Sequence, residues 1–153
     1  MHPINQTLLT VLDNQIARTH AAFAGLDEAT LDADPGRDCN SIRRIGRHLV
    51  ALRRFQMELL SCDGAERVDV PERVDSVEDL LARLDHAARH VRSAIAEHDP
   101  DDWYAVPDVP RAGKWGNEPT ILRVVRPLND FTNHLGAVRV IRRLCGNPTD
   151  QTQ

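Results

Sequence analysis

The stretch Leu128-Asn-Asp-Phe-Thr-Asn-His-Leu-Gly-Ala-Val-Arg-Val-Ile-Arg-Arg-Leu144 decides how this chain is read. Leu128, Phe131, Leu135 and Val138 recur at three- and four-residue intervals, the period of a helix with one buried stripe. Asp130 and His134 lie four residues apart, so their side chains fall on one flank of that stripe, one turn from each other. Pro127, just before the stretch, lies inside the same helix, which starts near Pro119-Thr120 and runs to Gly146. It should kink that helix, since it has no N–H and crowds the preceding turn.

Working outward, three more amphipathic segments appear. Ile4, Leu8, Leu12, Ile16 and Phe23 mark a first helix ending near Gly25. A polar loop with the turn signal Asp34-Pro35-Gly36 follows. Asn40 or Ser41 caps a second helix, whose stripe is Ile42, Ile45, Leu49, Leu52, Phe55 and Leu59, ending near Asp63-Gly64. After a linker over 65–75, Ser76 with Asp79 opens a third helix. Its buried face is Val77, Leu80, Leu81, Leu84, Ala88, Val91 and Ile95, and Asp99-Pro100 closes it. Residues 99–119 form a long connection holding Trp103, Tyr104 and Trp115, which either shapes a pocket or seals one end of the molecule. No alternating pattern supports a sheet. The expectation is an all-α, four-helix bundle with a long loop between helices three and four, one domain over residues 1–146 and a polar tail over 147–153.

Composition narrows the function. The 153 residues carry a net charge of −4, which lacks the basic footprint of a nucleic-acid binder. No stretch reaches the ~18 uncharged residues of a membrane span, and no leader pattern opens the chain. The three cysteines, Cys39, Cys62 and Cys145, are widely separated and odd in number, against a disulfide framework and in favour of a reducing cytoplasm. The pairs Arg43-Arg44, Arg53-Arg54 and Arg142-Arg143 read as solvated helix faces.

Histidines carry the chemistry. His48, between Ile45 and Leu49, is placed toward the core of helix two. Imidazole and carboxylate groups hold first-row divalent ions, and a catalytic site often uses three such ligands and leaves a position open. His48, Asp130 and His134, drawn from two helices, meet that requirement. The same residues also read as an inward histidine satisfied by a hydrogen bond and an ordinary i,i+4 pair on a polar edge. His86 and His90 have ligand spacing but face solvent; His20 reads as an inward group, a fourth ligand or a supporting partner.

Two motifs resemble the DinB/YfiT-like superfamily of metalloenzymes: Asn40-Ser41-Ile42 followed by His48-Leu49, and Asp130-x-x-x-His134-Leu135-Gly136. The family commonly opens helix two with Asn-Ser-Ile and reads His-x-x-x-His-x-Gly on helix four. The resemblance implies a bundle of up-up-down-down style, often a homodimer, with a divalent metal such as zinc or nickel on three histidines. Here Asp130 replaces one histidine, giving two imidazoles and one carboxylate. Family members with known roles include S-transferases and isomerases that use a low-molecular-weight thiol. The implied function is a metal-dependent thiol S-transferase or hydrolase acting on a small molecule, with no nucleic-acid or membrane partner. The alternative is a non-catalytic stress-response or binding bundle with a degenerate site.

Overall fold

The computed structural model describes residues 1–36, 39–60, 65, 68–106 and 117–147. Trp115, Cys62, Asp63-Gly64 and the tail beyond Asn147 lie outside them. Among the described residues the elements are α1 (Pro3–Phe23), α2 (Glu28–Asp32), α3 (Ile42–Leu59), α4 (Val77–Glu97), the 3-10 helix Pro100–Tyr104, and α5 (Thr120–Leu144). Strands are absent among the described residues.

Caps set the boundaries. Ser41 accepts from the Arg44 N–H at the start of α3, and Ser76 accepts from the Asp79 N–H at the start of α4. Each supplies an acceptor to a helix-end donor that otherwise has none. α1 ends where Gly25 takes a left-handed conformation, φ 65°. The short α2 was hidden in what the sequence presents as polar loop; Asp27 caps it through the Thr30 N–H at 2.7 Å, and its Leu31 is buried.

Side-chain bridges fix the topology. Gln15 reaches the Leu128 carbonyl and Arg142 reaches those of Ala22 and Ala24, so α1 and α5 run parallel. Asn5 meets His98, and His20 meets Asp85, so α4 runs against α1. Gln56 meets Val124 and His48 meets His134, so α3 runs against α5. The order is therefore up-down-down-up, not up-up-down-down. Consecutive α3 and α4 point the same way, and the linker after α3 must return the length of the bundle. An 18-residue helix is ~27 Å long, and the linker's residues at ~3.3 Å each cover that distance.

The core is one cluster running through all four long helices, with Leu12, Phe23, Leu49, Leu80, Ile95, Val124 and Val138 fully enclosed. Each such aliphatic side chain contributes about 1.5–3 kcal/mol by leaving water. α3 and α4 approach closely at Gly46, where an added Cβ would lie 2.8 Å from Leu80 Cδ2. Trp103 is fully buried and plugs the end of the bundle where α1 and α5 begin. Its indole donates to Asn5 Oδ1 at 2.8 Å, and the Asn5 amide donates to the His98 carbonyl at 2.9 Å.

The arginine pairs are not solvated faces. In each pair one member is buried: Arg43, Arg53 and Arg142, joined by Arg123. Arg43 pairs with Glu28 and Asp32 and donates to the Val74 carbonyl, tying α2 and the linker to α3. The bond to Asp32 raises its pKa above the ordinary value. Arg142 donates to the Ala22 and Ala24 carbonyls at 2.8 Å, closing the end of α1 against α5.

Candidate metal centre

The groove between α3 and α5 brings two of the three predicted ligands together. The His48 and His134 rings meet edge to face, with centroids 4.6 Å apart and planes at 74°. Antiparallel packing accounts for this meeting: residue numbers rise along α3 through 48, 52 and 55 as those facing them on α5 fall through 134, 130 and 127. Asp130, one turn before His134, lies near enough for its carboxylate to favour a charge on His48. Among the described residues, no group of three or more His, Cys, Asp and Glu side chains converges on a single point.

His48 is exposed, contrary to the inward placement its neighbours suggest. The buried face of α3 runs through Ile42, Ile45, Leu49, Arg53 and Gln56, so its centre is displaced toward Arg53. A residue preceding Leu49 is rotated ~100° from it, which carries His48 onto the α5-facing flank. His134 is half-buried and Asp130 is exposed.

The electrostatics keep His48 neutral. Partial burial lowers its pKa most, the facing His134 and nearby Arg47 lower it further, and Asp130 opposes them. A neutral imidazole retains the lone pair that a metal requires. Among the described residues, none of the three side chains exchanges a hydrogen bond with another, and the ring contact is what joins His48 to His134. Two imidazoles and a carboxylate suit a divalent ion of the zinc or nickel type in donor chemistry.

One turn along the same groove, Leu52, Phe55 and Leu59 of α3 and Arg126, Pro127 and Asp130 of α5 enclose a cavity of about 70 Å³. Asp130 thus borders both the histidine pair and an apolar recess. Arg126 at its rim pairs with Glu118 at 2.8 Å.

Beneath the groove lies a polar layer that the sequence did not reveal. Arg53 is 2% exposed, and burial lowers its pKa to about 10. Its terminal nitrogens donate to Gln56 Oε1 at 2.5 Å and Gln15 Oε1 at 2.6 Å, while the guanidinium lies 4.7 Å from the Phe131 ring centroid. The two amide nitrogens donate onward, from Gln15 to the Leu128 carbonyl at 2.7 Å and from Gln56 to the Val124 carbonyl at 3.2 Å. The signal was present: Leu49, Arg53 and Gln56 follow the helical period of the buried stripe.

The remaining candidates lie elsewhere. His20 is exposed and binds Asp85 at 2.9 Å across α1 and α4, so it is neither a fourth ligand nor a supporting partner of the groove. His86 and His90 stack edge to face on α4, centroids 5.0 Å apart, with His86 exposed. Trp103 is buried at the end of the bundle where α1 and α5 begin, and Tyr104 is exposed. Cys39 is exposed and Cys145 is half-buried against the core; both are free. Gly136 has nothing within 4 Å of an added Cβ, so packing does not require glycine there.

No helix among the described residues is long and apolar enough to cross a membrane. No curated protein matches the chain. The family model described as the DinB superfamily matches residues 12–134, most of the chain, and that span includes His48, Asp130 and His134. With an all-helical bundle and a match of this extent, the chain belongs to the DinB superfamily.

Proposed function

We propose that this protein is a divalent-metal-dependent enzyme whose ion, zinc or nickel, is held by His48, Asp130 and His134 in the α3/α5 groove. The observation that carries the reading is the contact of the His48 and His134 rings across antiparallel helices, with Asp130 one turn away. When bound, such an ion acts as a Lewis acid that lowers the pKa of a thiol or water and prepares a nucleophile at neutral pH. The reaction class that follows is thiol S-transfer or hydrolysis on a small molecule, with a low-molecular-weight thiol as co-substrate in the first case.

The chain's own groups divide the remaining work. His48 offers a neutral imidazole because burial and its neighbours suppress protonation. Asp130 supplies a negative charge that partly neutralises the ion and leaves its bound ligand more basic than three imidazoles would. Leu52, Phe55, Leu59 and Pro127 present an apolar recess to a small hydrocarbon portion of the substrate. The cytoplasm and a homodimer suit this reading: free cysteines fit a reducing compartment.

A second reading draws on the exposure of His48 and Asp130. In it the groove is a solvated polar edge and the protein a non-catalytic stress-response or binding bundle. Elemental analysis of untagged protein separates the two, with His134→Ala as control. The enzyme reading expects close to one equivalent of metal, lost in the control. Absence of metal after incubation with zinc, nickel and manganese would leave the binding bundle.

A further inference from the structure

A charge in the middle of the core calls for an explanation that stability alone does not provide. Removing a guanidinium from water is costly, and an apolar side chain of similar volume often serves a core as well or better. Arg53 nevertheless occupies the centre of the bundle. Among the described residues no carboxylate accepts from it, and its Nε has no partner.

We infer that Arg53 is a positioning residue for the α3/α5 site: through Gln15 and Gln56 it fixes the Pro127 segment of α5 that carries Asp130 and His134. Arginine donates and never accepts. Both carboxamides must therefore turn their oxygens toward it, which leaves both NH2 groups directed at other acceptors. Each finds a main-chain carbonyl of α5, Val124 on one side of Pro127 and Leu128 on the other. The Phe131 ring against the guanidinium adds a third hold. Val124, Leu128 and Phe131 are spaced i, i+4 and i+7, so the three holds run along one face of α5.

The location gives these holds their effect. Pro127 cannot donate to the carbonyl four residues back, so the helix is weakest there and its axis is most easily bent at that point. Asp130 adjoins Phe131, and His134 lies six residues, roughly 9 Å, beyond Leu128. Over that arm a 10° change of bend moves His134 by about 1.6 Å. A ligand set tolerates less than that before its geometry is lost.

The functional half of this inference rests on the proposed metal site; the positional half does not. Both are tested in the full chain with Arg53→Met, Arg53→Lys and Gln56→Met. Three quantities are read: the thermal midpoint, the NMR cross-peak between the His48 and His134 rings in metal-free protein, and the affinity for zinc alone. Arg53→Met is expected to fold, to lose the ring cross-peak, and to bind zinc at least roughly 10-fold more weakly, as when a supporting partner of a ligand is removed. Lysine keeps the charge but lacks the fork that orients two amides, so it is expected not to restore either signal. Gln56→Met, which frees the Val124 carbonyl and takes one acceptor from Arg53 while leaving the Gln15 hold, is expected to weaken both and carries the test if Arg53→Met does not fold. An unchanged cross-peak and unchanged zinc affinity in the folded variants would overturn the inference. If the native chain binds no zinc, the metal reading fails alone, and the cross-peak still decides the positioning role.

Discussion

The α1/α4 seam and the α3/α5 seam use the same side chains to opposite ends. Across α1 and α4, His20 binds Asp85 at 2.9 Å and Arg92 pairs with Asp13. Donors and acceptors there satisfy one another. Across α3 and α5, His48 meets another histidine, and Asp130 influences it by charge without a hydrogen bond. The facing ring helps to hold the His48 pKa below its ordinary value, which favours the neutral imidazole with its lone pair. A seam whose polar groups pair with one another has little left to bind with; one whose groups form no hydrogen bond among the described residues offers more to a ligand. The polar layer under the second seam fits this contrast, since Gln15, Gln56 and Arg53 are spent on holding α5 rather than on the groove itself.

The largest effect on this contrast comes from the wall the groove rests on. Phe131 is buried against Arg53, and Phe131→Ala should destabilise the protein by about 3–5 kcal/mol in urea titration. A loss below about 1 kcal/mol would mean that the ring does not support the seam. Next, His134→Ala should change stability by under about 1 kcal/mol, as an edge substitution does, yet reduce zinc affinity beyond the roughly 10–100-fold seen when only a supporting partner is lost. Asp85→Ala should leave zinc affinity unchanged; equal losses in the two variants would erase the distinction between seams.

A third effect is pH dependence. His48 has a folded-state pKa below its ordinary value of 6.5, so between the two values the unfolded chain binds the proton and the folded chain does not. Its contribution to stability is complete above about pH 6.5 and declines as pH falls through and below that value. The urea midpoint should therefore drop on acidification, and His48→Gln should flatten the drop; an identical slope in both proteins would assign the effect elsewhere. Smallest is Asp85→Asn, expected to cost under about 1 kcal/mol because the His20–Asp85 pair is partly exposed.

Much of the architecture was legible in the residues. Apolar periodicity found all four long helices, Ser41 and Ser76 marked two of their starts, and the i,i+4 spacing of Asp130 and His134 put them on one flank. What escaped depended on rotation and on partners distant in sequence. A stripe that includes Leu52 and Phe55 points His48 inward, but both are half-buried and the buried face of α3 centres on Arg53 and Gln56. Paired arginines look solvated to any reading that weighs charge alone; Arg43, Arg53 and Arg142 are buried because carboxylates, amides and helix-end carbonyls from other elements surround them. α2 was too short to show a period, and only Asp27 at its cap and buried Leu31 betray it. The order of helix directions follows from contacts 65 to 120 residues apart, such as His20 with Asp85 and Arg142 with Ala22, which no local pattern encodes.

The central claim is that the α3/α5 groove, and no other histidine cluster, takes a divalent ion. Titration of untagged protein with zinc, followed by the NMR signals of every histidine ring, tests it most directly. The account predicts that one equivalent shifts His48 and His134 together and leaves His20, His86 and His90 where they were. Shifts confined to His86 and His90, or no shift at a few equivalents, would contradict it.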